Sequence, residues 1–256
     1  MKLNIKKYIK IIAIFEKMLL TYIEHYDNMR PSKGRGTGTV PFLLQTGFEH
    51  LKIYQHYGGY KMNKQVKLND IKGLSFIGGQ ITSRIEADEK KTERAIGTVK
   101  VIPPKAIKAG KIEHEELYDV DYKTEFDEKK LTKAGDIVVK LSSPYDAAYV
   151  SEEDEGLLIT SFCIIIRNTG KNASSEFIAA FCNSGVYMRQ VMNMVSGAKV
   201  PMLTIGKVKE AKVNLLPMEE QEQVALFYRN LCEKEVVMEQ IISLEKEKLD
   251  TVLGGN

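Results

Sequence analysis

Two stretches of this chain set carboxylates beside a lysine in the pattern of a metal-dependent nuclease. Asp88-Glu89-Lys90 and Asp127-Glu128-Lys129 each offer acidic ligands for a divalent ion and a lysine to polarise an attacking water. Both lie in charge-dense, turn-like sequence, and neither sits on an apolar strand that would bury and aim it. A solvated surface is the reading their context favours. Gly34-Arg35-Gly36-Thr37-Gly38 has the glycine density of a phosphate cradle. No strand leads into it and no Lys-Ser/Thr follows, which leaves a basic linker. The histidines (His25, His50, His56, His114) form no HExxH pattern, and the cysteines (Cys163, Cys182, Cys232) form no CxxC knuckle and no disulfide framework. No metal site and no cofactor are expected, and no Ser, His and Asp grouping supplies a nucleophile.

Ser142-Ser143-Pro144-Tyr145 is similar to the loop with which amino-methyltransferases hold a target amine. It has one proline where that loop has two, and no glycine-rich S-adenosylmethionine loop follows a strand elsewhere. A single-chain nuclease or methyltransferase would need these sparse elements to act alone.

The elements that would position such groups fall into three regions. Residues 1–62 carry apolar residues at Ile5, Tyr8, Ile9, Ile12, Phe15, Leu19, Tyr22, Ile23 and Tyr26, the spacing of one helix face. This N-terminal helical extension ends at Pro31 and the basic linker. Residues 63–216 mix short β-rich runs with turns. Ile96–Ile102, Asp136–Leu141 and Leu157–Arg167 read as strands, the last as one buried strand. Ser174-Ser175-Glu176 then opens a single helical pattern through Val195, closed by Ser196-Gly197. The region is α+β with mainly antiparallel character. From Pro217 to Val252 nothing interrupts a helix. Its stripe comprises Val224, Leu231 and Met238, flanked by Phe227, Tyr228, Ile241, Ile242, Leu249 and Val252, and resembles a coiled-coil face. A rod of this kind needs a partner helix.

Composition excludes some function classes. The 256 residues are 43% apolar and 28% charged, an ordinary globular balance that argues against wholesale disorder. Lys10 interrupts the N-terminal apolar run and Glu16-Lys17 close it, so neither a signal peptide nor a membrane span is expected. The cysteine pattern fits a reducing, cytoplasmic setting. The formal charge is +3. It divides into +6 for residues 1–62 (ten basic, four acidic), +2 for residues 63–216 (23 basic, 21 acidic) and −5 for residues 217–256 (four basic, nine acidic). The small sum therefore neither supports nor opposes a polyanionic partner.

Four pieces of the chain, in order, resemble one family. Gln65-Val-Lys-Leu-Asn-Asp-Ile71 with Gly78-Gly79-Gln80 and Thr82-Ser83-Arg84 resembles the opening of a target-recognition domain. Lys133-Ala-Gly-Asp-Ile-Val-Val139 is similar to its central strand. Phe177-Ile-Ala-Ala-Phe-Cys-Asn-Ser184, with Arg189 and Gly197, is similar to its late helix and glycine turn. Val200-Pro-Met-Leu-Thr204, Val213-Asn-Leu-Leu-Pro217 and Glu219-Glu-Gln221 resemble its exit into a long spacer helix. The family is the DNA-specificity (S) subunit of type I restriction–modification systems, and the resemblance spans Asn63 to Gly254. A full subunit of that family has two recognition domains and two spacer helices. This sequence shows one of each, and residues 1–62 match nothing in the family.

The resemblance implies three parts: an N-terminal extension (1–62), a globular mixed-sheet DNA-binding domain (63–216) and a C-terminal spacer helix (217–256). It implies that the domain reads one half of a bipartite site in double-stranded DNA. The polar residues beside its glycine turns form three sets that would make contact: Gln80, Thr82, Ser83 and Arg84; Lys140, Ser142, Ser143 and Tyr145; and Lys199, Thr204 and Lys207. The helix would pair with a second copy of the chain or with another specificity subunit and so set the half-site spacing. Methyltransferase subunits, and a restriction/translocase subunit, would carry the chemistry, leaving this chain without catalysis. The competing reading is a protein-interaction module, not bound to DNA, that dimerises through its C-terminal helix.

Overall fold

Ile137-Val138-Val139 and Ile164-Ile165-Ile166 are apolar without alternation, which a strand tolerates only when both of its faces are covered. The computed structural model describes residues 65–88, 93–108, 110–197, 199 and 201–254, all within one unit of the chain, Lys61–Asn256. The expected N-terminal extension, its basic linker, and residues 89 and 90 of the first carboxylate–lysine stretch lie outside the described residues.

The strands are β1 (Gln65–Lys67), β2 (Leu74–Gly78), β3 (Gly97–Ile102), β4 (Ile107–Lys108), β5 (Lys111–Ile112), β6 (Tyr118–Tyr122), β7 (Ile137–Lys140), β8 (Ala147–Tyr149), β9 (Leu158–Ile159), β10 (Cys163–Asn168) and β11 (Lys212–Asn214). The helices are α1 (Ser175–Cys182), α2 (Gly185–Val195), α3 (Ile205–Glu210) and α4 (Met218–Gly254). The fold is α+β with a long C-terminal helix, as the sequence predicts. A four-stranded antiparallel sheet in the order β2-β10-β7-β8 lies at its centre. A second sheet, β6-β3-β9, joins β3 to β9 in parallel. β1 pairs with β11 and β4 with β5.

Strands β7 and β10 of the central sheet are buried on both faces, which explains the unbroken apolar runs. Ile137, Val139, Ile164 and Ile166 face one core with Phe177, Ile178 and Phe181 of α1 and Tyr187, Val191 and Val195 of α2. Val138, Cys163 and Ile165 face a second core with Ile102, Ala106, Ile107, Ile112 and Ile159. A third, smaller core of Ile85, Val99, Val101, Val120 and Leu158 supports the three-stranded sheet.

Two elements that the sequence predicts as continuous are split. The run 157–167 is two strands in two different sheets, separated by a turn in which the Cys163 N–H donates to the Thr160 carbonyl at 2.9 Å. A turn of this kind accepts most residue types, so Thr160-Ser161-Phe162 carries no glycine or proline to mark it. The helical run 174–195 breaks at Asn183-Ser184. The Asn183 amide donates to the carbonyls of Ala147 and Ala179, both at 2.9 Å, and its oxygen accepts from the Ala147 N–H at 2.9 Å, so the side chain serves as a neighbour for β8. Ser184 then caps α2, as Ser174 caps α1.

Helix α4 is about 55 Å long at 1.5 Å per residue. Glu219 and Glu220 lie in its first turn, where carboxylates complement the helix dipole. Its first turns are fastened to the domain through buried Gln221. The Gln221 amide donates to the carbonyls of Leu216 (2.8 Å) and Asn172 (3.3 Å), and its oxygen accepts from the Ser174 N–H at 2.8 Å. Arg229 adds an ion pair with Glu176 of α1 at 2.6 Å. Among the described residues no helix is long and apolar enough to cross a membrane.

Candidate nucleic-acid interface

The register of the central sheet decides where the three polar sets lie. Antiparallel pairing puts Gly78 at the end of β2, Cys163 at the start of β10, Lys140 at the end of β7 and Ala147 at the start of β8, all at one end of the sheet. The segments leaving that end are 79–84, 160–162 and 141–146. The first polar set lies on the first of these and most of the second set on the third.

The turn 160–163 ties them together. The Gln80 N–H donates to the Ile159 carbonyl and the Ser161 N–H to the Gln80 carbonyl, both at 2.8 Å. The Leu141 N–H donates to the Phe162 carbonyl at 2.9 Å. Gly79 permits the approach, since a Cβ there would stand 1.9 Å from the Thr160 carbonyl oxygen. The third set arrives through 201–204. The Leu203 N–H donates to the Leu141 carbonyl at 2.8 Å, and the Tyr145 hydroxyl donates to the Pro201 carbonyl at 2.6 Å. Segments more than a hundred residues apart in sequence thus form one hydrogen-bonded rim.

Members of the three sets differ in what they can still do. Ser83, Arg84, Ser143 and Lys199 are exposed, and none of their side chains has a hydrogen-bond or ion-pair partner among the described residues. Thr82 and Ser142 are half-buried. Gln80 accepts from the Lys130 ammonium at 2.7 Å and donates to the Ile81 carbonyl at 3.2 Å. Thr204 caps α3, and the Lys207 ammonium donates to the Met194 carbonyl at 2.6 Å near the end of α2, a favourable place for a cation.

Burial removes two members from the contact set. Tyr145 is 1% exposed, and its hydroxyl is committed to Pro201. Its φ of +64° is unusual for a bulky residue, and burial of the ring holds it there. Lys140 is 6% exposed and sits 3.3 Å from the Asp146 carboxylate. Sequence shows neither fate, because Tyr and Lys are both common at surface turns. What the sequence misses is Phe162, which is 50% exposed in the turn at the middle of the rim. The apolar run 157–167 disguises it as a core residue.

Beneath the turn, burial pushes the Cys163 thiol up to about 12 and the Cys182 thiol likewise to about 12. Both stay protonated at neutral pH, which excludes them as thiolate nucleophiles. At the far end of the sheet, buried Asp136 accepts from Arg167 Nε at 2.9 and 3.2 Å and from Nη2 at 2.6 Å, and Arg167 also donates to the Leu131 carbonyl at 2.8 Å. The hydrogen bond to Asp136 raises the Arg167 pKa further. The Asp127 carboxylate caps a short turn by accepting from the Lys129 N–H at 3.0 Å. Among the described residues no group of three or more His, Cys, Asp and Glu is placed to hold a metal.

The helix stripe is divided. Val224 packs on the domain's own core, and Tyr228 lines a cleft with Gly110 and Cys232; both are half-buried. Phe227, Met238 and Ile241 are half-buried, while Leu231, Ile242 and Leu249 are exposed. Leu226, Val236, Val237, Leu244 and Leu253 add exposed apolar surface that the heptad positions do not include. The side chain of Val252 lies outside the described residues.

No family model and no curated protein matches the chain. Solved structures similar to it include the HsdS subunit from Thermoanaerobacter tengcongensis, at 17% identity over 76% of this chain and 49% of that one, with a TM-score of 0.49. A structure of type I R-M system assembly and conformational transition is 19% identical over 75% of this chain and 47% of that one, with a TM-score of 0.46. The type I restriction-modification S subunit from M. genitalium is 16% identical over 82% of this chain and 49% of that one, with a TM-score of 0.44. At these identities the likeness is one of fold. The chain spans about half the length of each.

Proposed function

We propose that this chain acts as a DNA-specificity subunit of a type I restriction–modification system, supplying one target-recognition domain and one spacer helix. The observation that carries the reading is the rim. Three polar sets, far apart in sequence, meet at one end of the central sheet, where Ser83, Arg84, Ser143 and Lys199 remain exposed beside glycine-dependent turns. Hydroxyl and guanidinium groups of this kind read base edges, and lysines contact phosphates to fix register. The series of sequence motifs running from Gln65 to Gln221 adds to this.

In this reading the domain binds one half-site of double-stranded DNA. Helix α4 offers its outer apolar residues, among them Leu231, Ile242 and Leu249, to a spacer helix from a second copy or from another specificity subunit. The paired helices act as a ruler between half-sites, and two identical copies related by a two-fold axis would recognise an interrupted palindrome. Methyltransferase subunits bring the cofactor and the chemistry, a restriction/translocase subunit brings cleavage, and this chain is non-catalytic. The work takes place in the cytoplasm.

The test is the adenine-methylation pattern of host DNA with and without the expressed gene. The expected result is loss of one bipartite motif on deletion and its return on complementation. An unchanged pattern with the protein demonstrably present would overturn the reading.

A further inference from the structure

Phe162 stands apart from the other groups on the rim. It is a large apolar side chain, half exposed, in a turn hydrogen-bonded to both neighbouring segments. The Thr160–Cys163 hydrogen bond closes the turn, and the bonds Ser161 to Gln80 and Leu141 to Phe162 fasten it on both sides. Gly79 gives up its side chain for this contact. These bonds tie the turn to the segments on either side, so the Phe162 side chain is presented from a fastened backbone. Ile81, one residue beyond Gln80, adds a second exposed apolar side chain. Around them stand the hydrogen-bonding groups of Ser83, Arg84 and Ser143. Exposed apolar and exposed polar side chains thus share the segments that leave this end of the sheet.

Resting on the DNA reading above, we propose that Phe162 is a specificity-determining residue that reads a thymine by its 5-methyl group in the major groove. That methyl is the apolar feature on a base edge, and it is displayed beside the hydrogen-bonding atoms that the surrounding polar side chains would read. The exposed half of the ring is the part available to a base edge. That surface suits van der Waals contact with a methyl at the groove edge. The contact discriminates thymine from cytosine and from uracil, and no hydrogen bond is involved.

The experiment uses the full chain purified from its host, so that tightly held partners are retained, and a pool of randomised DNA duplexes from which bound molecules are sequenced. In the enriched duplex each thymine is then replaced in turn by uracil, which removes only the methyl. Wild type is expected to lose affinity by about fourfold at one thymine, the worth of one buried methyl. Phe162→Ala binds the thymine duplex more weakly by a similar factor and is indifferent to uracil at that position. Phe162→Leu, which keeps an apolar contact, retains part of the discrimination. Wild type indifferent to uracil at every position, an enriched duplex without thymine, or undiminished uracil sensitivity in Phe162→Ala would each overturn the proposal while leaving DNA recognition intact. No enrichment by wild type overturns the DNA reading, and the proposal with it.

Discussion

The two ends of the central sheet use similar residues to opposite ends. Where β7 begins and β10 finishes, charge is consumed internally: Asp136 is buried, Arg167 grips it through Nε and Nη2, and Nη2 also donates to the Leu131 carbonyl. At the other end Arg84 and Lys199 project without a partner among the described residues, beside exposed Ser83 and Ser143. What separates the charges at the two ends is pairing. This is why the domain's net charge of +2 is uninformative. A few unpaired groups gathered at one rim are invisible in a sum dominated by residues that cancel.

The largest effect should come from opening the closed end. Arg167→Ala leaves a buried carboxylate uncompensated and is expected to lower the unfolding free energy by about 3–5 kcal/mol, measured by urea denaturation. Gly79→Ala tests how the open end is built. A Cβ 1.9 Å from a backbone oxygen forces the two segments apart, and a loss of about 1–3 kcal/mol is expected on the same assay. Smaller again is Tyr145→Phe, which removes the bond to the Pro201 carbonyl at a cost of about 1 kcal/mol. As Tyr145 is buried, the salt dependence of DNA binding should be unaltered in that variant. A marked change would return Tyr145 to the contact set.

The thiols beneath the rim give a pH-linked effect. In the unfolded chain Cys163 and Cys182 titrate near their usual value of 9.0, and in the folded protein near 12. Between these values the unfolded state has released protons that the folded state still holds. Stability should therefore fall as pH rises through that window, with no contribution from these groups below it. Melting temperatures from pH 8 to 11 check the sign. Double replacement Cys163→Ala/Cys182→Ala should flatten the decline, whatever it does to stability at pH 8.

Much of the architecture was legible in the sequence because it is written in periodicity. The unbroken run Ile164-Ile165-Ile166 announced a strand covered on both faces, and the uninterrupted stretch after Pro217 announced the long helix. The turn Thr160–Cys163 was not legible, since a hydrogen bond closes it and no residue type marks it. Asn183 and Gln221 looked like ordinary polar residues. Their roles, as a surrogate neighbour for β8 and as the fastening of α4 to the domain, exist only once distant backbone groups are brought to them. At the rim, glycine-flanked polar residues were a fair guide to place and a poor guide to exposure: of eleven residues in the three sets, Tyr145 and Lys140 turned inward. Phe162 was hidden by its apolar neighbours. On α4, heptad spacing alone could not show that Val224 and Tyr228 would be taken up by the domain.

Salt dependence of DNA binding tests the functional contrast between the two ends most directly. The enriched duplex is titrated with wild type, with Arg84→Ala/Lys199→Ala at the rim and with Lys133→Ala at the opposite end, whose side chain is also exposed. Each phosphate contact contributes about 0.9 to the slope of log affinity against log salt. The rim variant should bind more weakly with a slope flatter by up to about two such contacts, while Lys133→Ala follows wild type. Wild-type slope and affinity in the rim variant, or an equal loss in Lys133→Ala, would contradict the assignment of this rim as the DNA-reading surface.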